Sequence, residues 1–540
     1  MTTNHFPSSE ANTFHYIIVG GGTAGCVIAS RLAEKLPSKR ILMIEAGPSD
    51  LDDERILDLR NMFNLLGGDL DFNYRTEPQI MGNSNINYSR AKVLGGCSSH
   101  NSSLSFHSIE YDTQRWAKSG VEGWSFETMK RLIQKLRTNI INIDPKHRNP
   151  IYEDWIQACA TVFDAPVVED FNVLIKSEGS PSRGVGFAPV SYIPENHRRI
   201  SASVAYIHPI LRGEEKRPNL FVLTNAWVTR INYLGGSVTG VDVELQSGEL
   251  HTLRAKTETI LCAGAIDTPR LMLLSGIGPR DHLQSLKIPV VHELPGVGEN
   301  LQDHPETIIV WELNKAYPKD TTAMQSDTAL LLRHYPHNYF GDDGSTADLW
   351  IHTILGEFCI NTERMGYVTP ENVFCMVPNV ARPASRGRLF LTSADRKAPP
   401  ALDFGYFTDA EGYDASLVVA GLKYSRELAK QSPFKEWIKR EVAPGPAIQS
   451  DEDLSEYGRK VHHTVYHACG TTKMGSESDP LAVVNSRLQV KGIKALRVAD
   501  AGVLPFVTTN NPMVTILAIA ERCAEMIIEE ARYHQQSAML

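Results

Sequence analysis

Two short runs carry residue types that can do chemistry. One is Gly95-Gly96-Cys97-Ser98-Ser99-His100-Asn101, a glycine–serine loop holding an imidazole, preceded by Arg90-Ala91-Lys92-Val93-Leu94. A neutral imidazole is a competent nucleophile, and glycine lets a backbone approach a ligand closely. The other run, nearer the N-terminus, is Gly20-Gly21-Gly22-Thr23-Ala24-Gly25. Glycines at this spacing, between a strand and a helix, accommodate the pyrophosphate of a dinucleotide. Together the runs point to a dinucleotide whose reactive ring lies against His100, and so to a flavin held by a covalent bond. The alternative for His100 is a loop histidine hydrogen-bonded to phosphate or backbone.

Such a site needs elements to hold it. Phe14 to Val19 is an apolar run that ends at glycine, and Ala24, Val27, Ile28, Arg31 and Leu32 follow with helical spacing. Gly20 permits the turn, Gly22 allows close approach to pyrophosphate, and Gly25 packs helix against strand. The helix start then presents free N–H groups and its positive dipole end to phosphate. A second strand, Arg40 to Ile44, ends at Glu45-Ala46-Gly47, where an acid can bond a ribose diol. This unit fits NAD or FAD and does not choose between them. Further strands are predicted at Asn219 to Thr224, Thr259 to Cys262 and Ala495 to Val498, with a long apolar helix from about Met513. Asp500, at the end of the last strand, can reach ribityl or pyrophosphate groups, or serve as a plain helix cap.

The chain has 540 residues, 42% hydrophobic and 22% charged, which predicts two domains in a soluble globular enzyme. A net charge of −9 without a long basic run argues against nucleic acid or an anionic membrane surface as the partner. No apolar run reaches the ~20 residues that span a bilayer. The polar start, Met1 to Asn12, predicts no secretion signal. Eight scattered cysteines without a Cys-x-x-Cys pair predict free thiols in a reducing, intracellular, cytoplasmic setting, and no metal site. The tail Ser537-Ala538-Met539-Leu540 loosely matches a peroxisomal address, with Met539 in place of the basic residue.

Four motifs in order give the chain a resemblance to the glucose–methanol–choline (GMC) oxidoreductases. They are Gly20-x-Gly22-x-x-Gly25, Lys92 to Ser99, Gly264 to Gly278, and Val465-Tyr466-His467-Ala468-Cys469-Gly470-Thr471. The resemblance runs from about Phe14 to Glu529. It implies an α/β fold: a Rossmann-like FAD-binding domain and a discontinuous substrate domain on an antiparallel sheet. It also implies FAD rather than NAD. Within the family the choline oxidase-like branch is the nearest match, through Arg90 to Asn101, Leu301 to Glu306, Thr464 to Thr471 and Asn511-Pro512. In that branch a histidine at the position of His100 is bonded to the flavin 8α-methyl carbon.

The resemblance carries over residue roles. Cofactor contacts fall to Gly20, Gly22, Thr23, Ala24, Gly25 and Glu45, and to Val93, Gly95, Cys97, Ser98, His100, Asn101 and Ser102. Val228, Asp500, Ala501, Asn511 and Pro512 complete that set. Alcohol oxidation removes a hydroxyl proton and a hydride, so a base and a stabiliser of alkoxide charge are needed. His467 is the base, Asn511 donates to the substrate oxygen, and His352 hydrogen-bonds the alkoxide. Glu306 faces a cationic part of the substrate, because a carboxylate in an apolar cavity is costly without a positive partner; its alternative is an ordinary salt bridge. Choline oxidases box the trimethylammonium group with aromatic rings. Tyr466 stands at one such position, but Met62 replaces one tryptophan and Ala323 or Met324 lies near the other, with Trp311 or Tyr339 as displaced substitutes.

The expected FAD domain comprises 1–159, 218–305 and 462–540, with a lid at 51–84; the substrate domain comprises 160–217 and 306–461. The expected activity is oxidation of a primary alcohol, choline first, to betaine aldehyde and on to glycine betaine, with O2 reduced to H2O2. A dehydrogenase or oxidase acting on another amino, aliphatic or aryl alcohol is the alternative, as is a lyase or cyclase that keeps flavin for structure. Fold alone does not decide among them. The partners expected are a small-molecule alcohol and O2, with a homodimer as the candidate assembly.

Overall fold

The computed structural model describes residues 12–319, 321–335, 339, 346–356 and 358–539. The N-terminal segment 1–11, the turn signals at 336–338 and 341–344, and Leu540 of the tail lie outside the described residues. No helix among the described residues is long and apolar enough to cross a membrane.

One sheet is built around the glycine-rich turn. Its strands lie in the order Ala226–Leu234, Ser237–Leu245, Leu250–Leu261, Thr13–Val19, Ile41–Ile44 and Leu220–Leu223, and Leu496–Val498 also pairs with Leu250–Leu261. Thr13–Val19 pairs in parallel with Ile41–Ile44 on one side and with Leu250–Leu261 on the other. Strands in such a position are covered on both faces, which is why Ile41–Ile44 is wholly apolar and buried. The strand expected at Thr259 to Cys262 is the inner end of the longer Leu250–Leu261. Its outer half pairs antiparallel with Ser237–Leu245 and is partly exposed, whereas Thr259, Ile260 and Leu261 are buried between two parallel neighbours. Helix Thr23–Lys35 returns the chain from the first strand to Ile41–Ile44, the connection a parallel pair requires.

The second sheet is antiparallel. Its strands run Ile438–Ala443, Ile309–Leu313, Val373–Val380, Leu349–Leu355, Thr328–Leu332 and Gly184–Phe187. Pro305–Glu306 and His463–Thr464 join it as a short branch. Pro305 and His463–Thr464 thus pair into this sheet, although the sequence reading placed them with the nucleotide segments. Helix Tyr413–Leu428 lies on the sheet so closely that a Cβ at Gly421 would come within 2.3 Å of Pro378. The predicted lid region folds as the short helices Glu54–Leu57 and Met62–Leu65 and the two-residue strand Tyr74–Arg75. The long terminal helix, Met513–Met539, begins directly after Asn511-Pro512.

Candidate active site

Two chambers meet between the sheets. One, of about 1170 Å³, is lined by Gly20, Gly22, Thr23, Ala24, Glu45, Cys97, Val228, Asp500 and Ala501. The other, of about 1250 Å³, is lined by Met62, His100, Asn101, Ser102, Glu306, His352, Tyr466, His467, Asn511 and Pro512. Thr23, Arg90, Cys97, Ala501 and Ile516 border both, so the chambers are neighbours with a shared wall.

The first chamber has the shape and polarity of a dinucleotide cradle. Gly20 has φ +102°, and a Cβ there would lie 2.5 Å from the Cys262 carbonyl oxygen. Gly96 has φ +54°, and its Cβ would lie 2.6 Å from the Gly22 Cα, so side chains would close the cradle. Helix Thr23–Lys35 starts at Gly22 without a side-chain cap, which leaves first-turn N–H groups for an anion. Glu45 accepts from the Gly21 and Gly47 amides at 2.9 and 2.8 Å, and burial pushes its carboxyl up to about 7. Each oxygen keeps a second lone pair for a diol.

Asp500 is braced by the protein while lining the first chamber. One oxygen accepts from the Gly502 amide (2.8 Å), the other from the Gly264 amide (2.9 Å) and the Thr268 hydroxyl (2.6 Å). Asp500 thereby ties the end of Leu496–Val498 to the start of helix Gly264–Leu274, as in the capping alternative, and Oδ1 keeps a second lone pair for a ribityl hydroxyl. Gly25, Val93, Gly95 and Ser98 line neither chamber. They shape it instead. A Cβ on Gly25 would sit 1.9 Å from the Gly20 carbonyl oxygen, and one on Gly95 2.0 Å from the Ser99 hydroxyl. Val93 is fully buried, and the Ser98 hydroxyl bridges the Gly95 carbonyl (2.6 Å) and the Ala202 amide (2.9 Å).

The second chamber gathers the residues with proton chemistry. Pairing of Pro305 with Thr464 and of Glu306 with His463, followed by Gln302 with Cys469, leaves two residues on one strand opposite four on the other. This bulge turns His467 out of the ladder. Its backbone amide donates to Asp303 Oδ1 at 2.8 Å, and its Nδ1 lies 2.7 Å from His304 Nδ1. His304 Nε2 lies 3.1 Å from the Ala381 carbonyl oxygen, which can only accept. Neutral His304 must therefore donate from Nε2, so its Nδ1 accepts and His467 Nδ1 carries the proton. The lone pair of His467 is left on Nε2, 3.4 Å from the Asn511 amide nitrogen. Burial holds His467 well below the usual imidazole range, helped by His304, Arg90 and His352. Burial likewise takes His304 and His352 down to about 4. All three imidazoles are neutral at pH 7.

Glu306 is buried, and its carboxyl is pushed far up by burial and then by Asp303, with no basic side chain among the described residues acting on it. The salt-bridge alternative is thereby set aside. Tyr466 holds a left-handed backbone, φ 62°, and its hydroxyl reaches His463 Nε2 at 3.5 Å. His100 is 5% exposed, with Nε2 donating to the Leu65 carbonyl (2.9 Å) and Nδ1 3.4 Å from the Ser89 hydroxyl.

Several chamber residues escaped the sequence reading. Arg90 borders both chambers and donates to the Tyr466 carbonyl, and its position in the run before the loop was the available signal. Ser326, not Ala323 or Met324, faces the chamber. Trp311 and Tyr339 do not line it, and Tyr339 stacks on Tyr413 at 4.1 Å. The added aromatic lining is Phe63 and Phe358, with ring centres 5.8 Å apart.

A family model described as GMC oxidoreductase matches residues 14–306, and a second of the same description matches 383–520. The chain is 38% identical to the choline oxidase of Arthrobacter globiformis, over 95% of this chain and 94% of that protein. It is 32% identical to the oxygen-dependent choline dehydrogenase 1 of Chromohalobacter salexigens, over 96% and 95%. Among solved structures, pyridoxine 4-oxidase from Mesorbium loti matches with a TM-score of 0.83 at 26% identity, covering 97% of this chain and 99% of that one.

Proposed function

The chain belongs to the glucose–methanol–choline oxidoreductase family, and from that premise we propose that it is an FAD-dependent oxidase of a primary alcohol bearing a cationic nitrogen, choline being the lead substrate. The observation that carries this reading is the unprotonated Nε2 of His467 beside the Asn511 amide, in the same chamber as an unpaired buried Glu306.

FAD, when bound, supplies the acceptor for the substrate hydride at its N5. The residues of the first chamber suit its dinucleotide portion, and His100 stands in the second chamber to tether the flavin at its 8α-methyl carbon. The division into a cofactor-binding unit and a substrate-covering unit follows the two sheets. His467 Nε2 takes the hydroxyl proton, and the His304–Ala381 chain keeps that nitrogen free to do so. The Asn511 amide and His352 hold the developing alkoxide, since donors already in place need not reorganise as the charge forms. Glu306 ionises against the ammonium group and orients the alcohol carbon. Dioxygen is the terminal acceptor and leaves as H2O2. Similarity to both oxidases and dehydrogenases keeps a second reading, in which another carrier takes the electrons.

The test is anaerobic mixing with choline followed by readmission of air. Bleaching of the flavin, then recovery of colour with equimolar peroxide, is the expected result. Recovery only with an added quinone would assign the second reading. His467→Ala should abolish bleaching while flavin stays bound, and an unchanged rate would remove His467 from the chemistry.

A further inference from the structure

The proposed tether at His100 leaves unexplained how its ring is aligned and where its proton goes. Next to it lies a buried polar pair, Asp71 and Ser89, 6% and 8% exposed, which the chemistry above does not use. The Asp71 carboxylate is held by four donors. Oδ1 accepts from the Asn73 and Arg90 amides at 2.8 and 2.9 Å; Oδ2 accepts from the Gly67 amide at 2.9 Å and from the Ser89 hydroxyl.

A hydroxyl has one hydrogen, and a carboxylate only accepts, so Ser89 spends its hydrogen on Asp71. Toward His100 Nδ1, 3.4 Å away, Ser89 can only accept. On the opposite edge of the ring, the Leu65 carbonyl also only accepts, from Nε2 at 2.9 Å. Both flanks of His100 therefore ask for an N–H, and a neutral imidazole has one. Here the Leu65 side is satisfied, and the Ser89 side is the long contact. Leu65 ends the short helix Met62–Leu65, whose neighbours Met62, Phe63 and Leu66 line the chamber. Were Nε2 to bond a carbon instead, the one proton of the neutral ring would belong on Nδ1, facing Ser89.

We infer that Asp71 and Ser89 form a relay that aligns His100 and accepts its Nδ1 proton as Nε2 bonds to the flavin 8α carbon. The inference rests on the tether proposed above. In the balance, one C8α–H bond breaks and one C8α–Nε2 bond forms. The two hydrogens lost, from the methyl group and from the imidazole, leave with two electrons to dioxygen, giving one H2O2. Ser89 passes its hydrogen to Asp71 and takes the one from Nδ1. The negative charge of Asp71 also raises the basicity that burial takes from His100. Asp71 and Ser89 are positioning residues, since they act through His100.

The experiment uses full-length protein purified with its flavin and follows attachment in air. Acid-precipitated samples are assayed for flavin that stays with the protein, beside total bound flavin and far-UV circular dichroism. Wild type should become fully tethered, and His100→Asn should carry only extractable flavin. Ser89→Ala should bind flavin but attach it about a hundredfold more slowly, the low end of what a placed proton acceptor contributes. Ser89→Thr should restore the rate. Asp71→Asn should act like Ser89→Ala, and because Asp71 also braces its loop, Ser89→Ala decides if Asp71→Asn does not fold. Attachment in Ser89→Ala at the wild-type rate would overturn the relay and leave the tether standing. Extractable flavin in wild type would overturn the tether itself, and the relay with it.

Discussion

Glu306 is the side chain on which substrate choice turns. A carboxyl driven upward by burial is costly to ionise until a cation arrives, and pairing with that cation then favours the charged form. Glu306→Gln keeps the shape and removes the charge. It should cost about 3 kcal/mol of transition-state binding for an ammonium alcohol, roughly a hundredfold in kcat/KM. The neutral isostere 3,3-dimethylbutan-1-ol should be oxidised by both forms alike, because it never asks for the charge. Equal losses on both substrates would make Glu306 a packing residue. The same chamber shows where sequence reasoning slipped by a few residues. Asp327 accepts from the Ala323 and Met324 amides at 2.9 and 3.0 Å, forming a tight turn that buries those two residues and brings Ser326 to the chamber wall. A turn closed by one side chain leaves no periodic trace, so register there is invisible to spacing arguments.

At the scale of elements, legibility followed the range of the interactions. The opening strand, glycine turn and helix were readable because their residues are adjacent in the chain and their backbone demands are local. The loop carrying His100 was readable for the same reason, but its anchor was not. Arg199 is fully buried and over ninety positions away, yet it donates to the Ile56 carbonyl (3.1 Å), the Ser98 carbonyl (3.4 Å), the Ser103 hydroxyl (3.0 Å) and the Asn101 carbonyl. Burial lowers its pKa to about 9. One guanidinium thus pins the lid helix and the far side of the His100 loop together. Arg199→Met fills the space and strands several carbonyl oxygens, each costing about 1–3 kcal/mol when buried without a partner. The variant should unfold at lower urea by about 3 kcal/mol or more and tether its flavin poorly. Stability within 1 kcal/mol of wild type, on the scale of an ordinary surface change, would show that the loop holds itself.

Across the whole molecule, the two ends of the chain are one structural unit. The terminal helix Met513–Met539, which begins beside Asn511, lies against the early helix Thr23–Lys35. Arg31 on the early helix grips Glu521 on the late one through Nε at 3.0 and 2.9 Å and Nη2 at 2.8 Å, and the Tyr206 hydroxyl adds a bond at 3.0 Å. One turn on, Glu525 pairs with Arg131 at 2.7 and 2.8 Å. Further along, Glu530 pairs with Arg497 of the strand that ends near Asp500. The glycine-rich turn, Asp500 and the Asn511 amide are therefore bolted to the same helix. Glu521, only 3% exposed at its side chain, is the deepest of the three helix carboxylates. Removing it strips Arg31 of its bidentate partner and leaves it Glu34 at 3.3 Å and the Lys135 carbonyl at 2.8 Å, so Glu521→Ala should cost about 2–3 kcal/mol. Because the helix serves both the nucleotide cradle and the candidate active site, loss of the flavin's visible circular dichroism and loss of helical signal should coincide in one urea transition at a lower midpoint. Arg31→Ala combined with Glu521→Ala should cost far less than the sum of the two single losses, as for any pair in direct contact. Additive losses, or a flavin dichroism that disappears well before the helices unfold, would mean that the two ends are neighbours without being coupled.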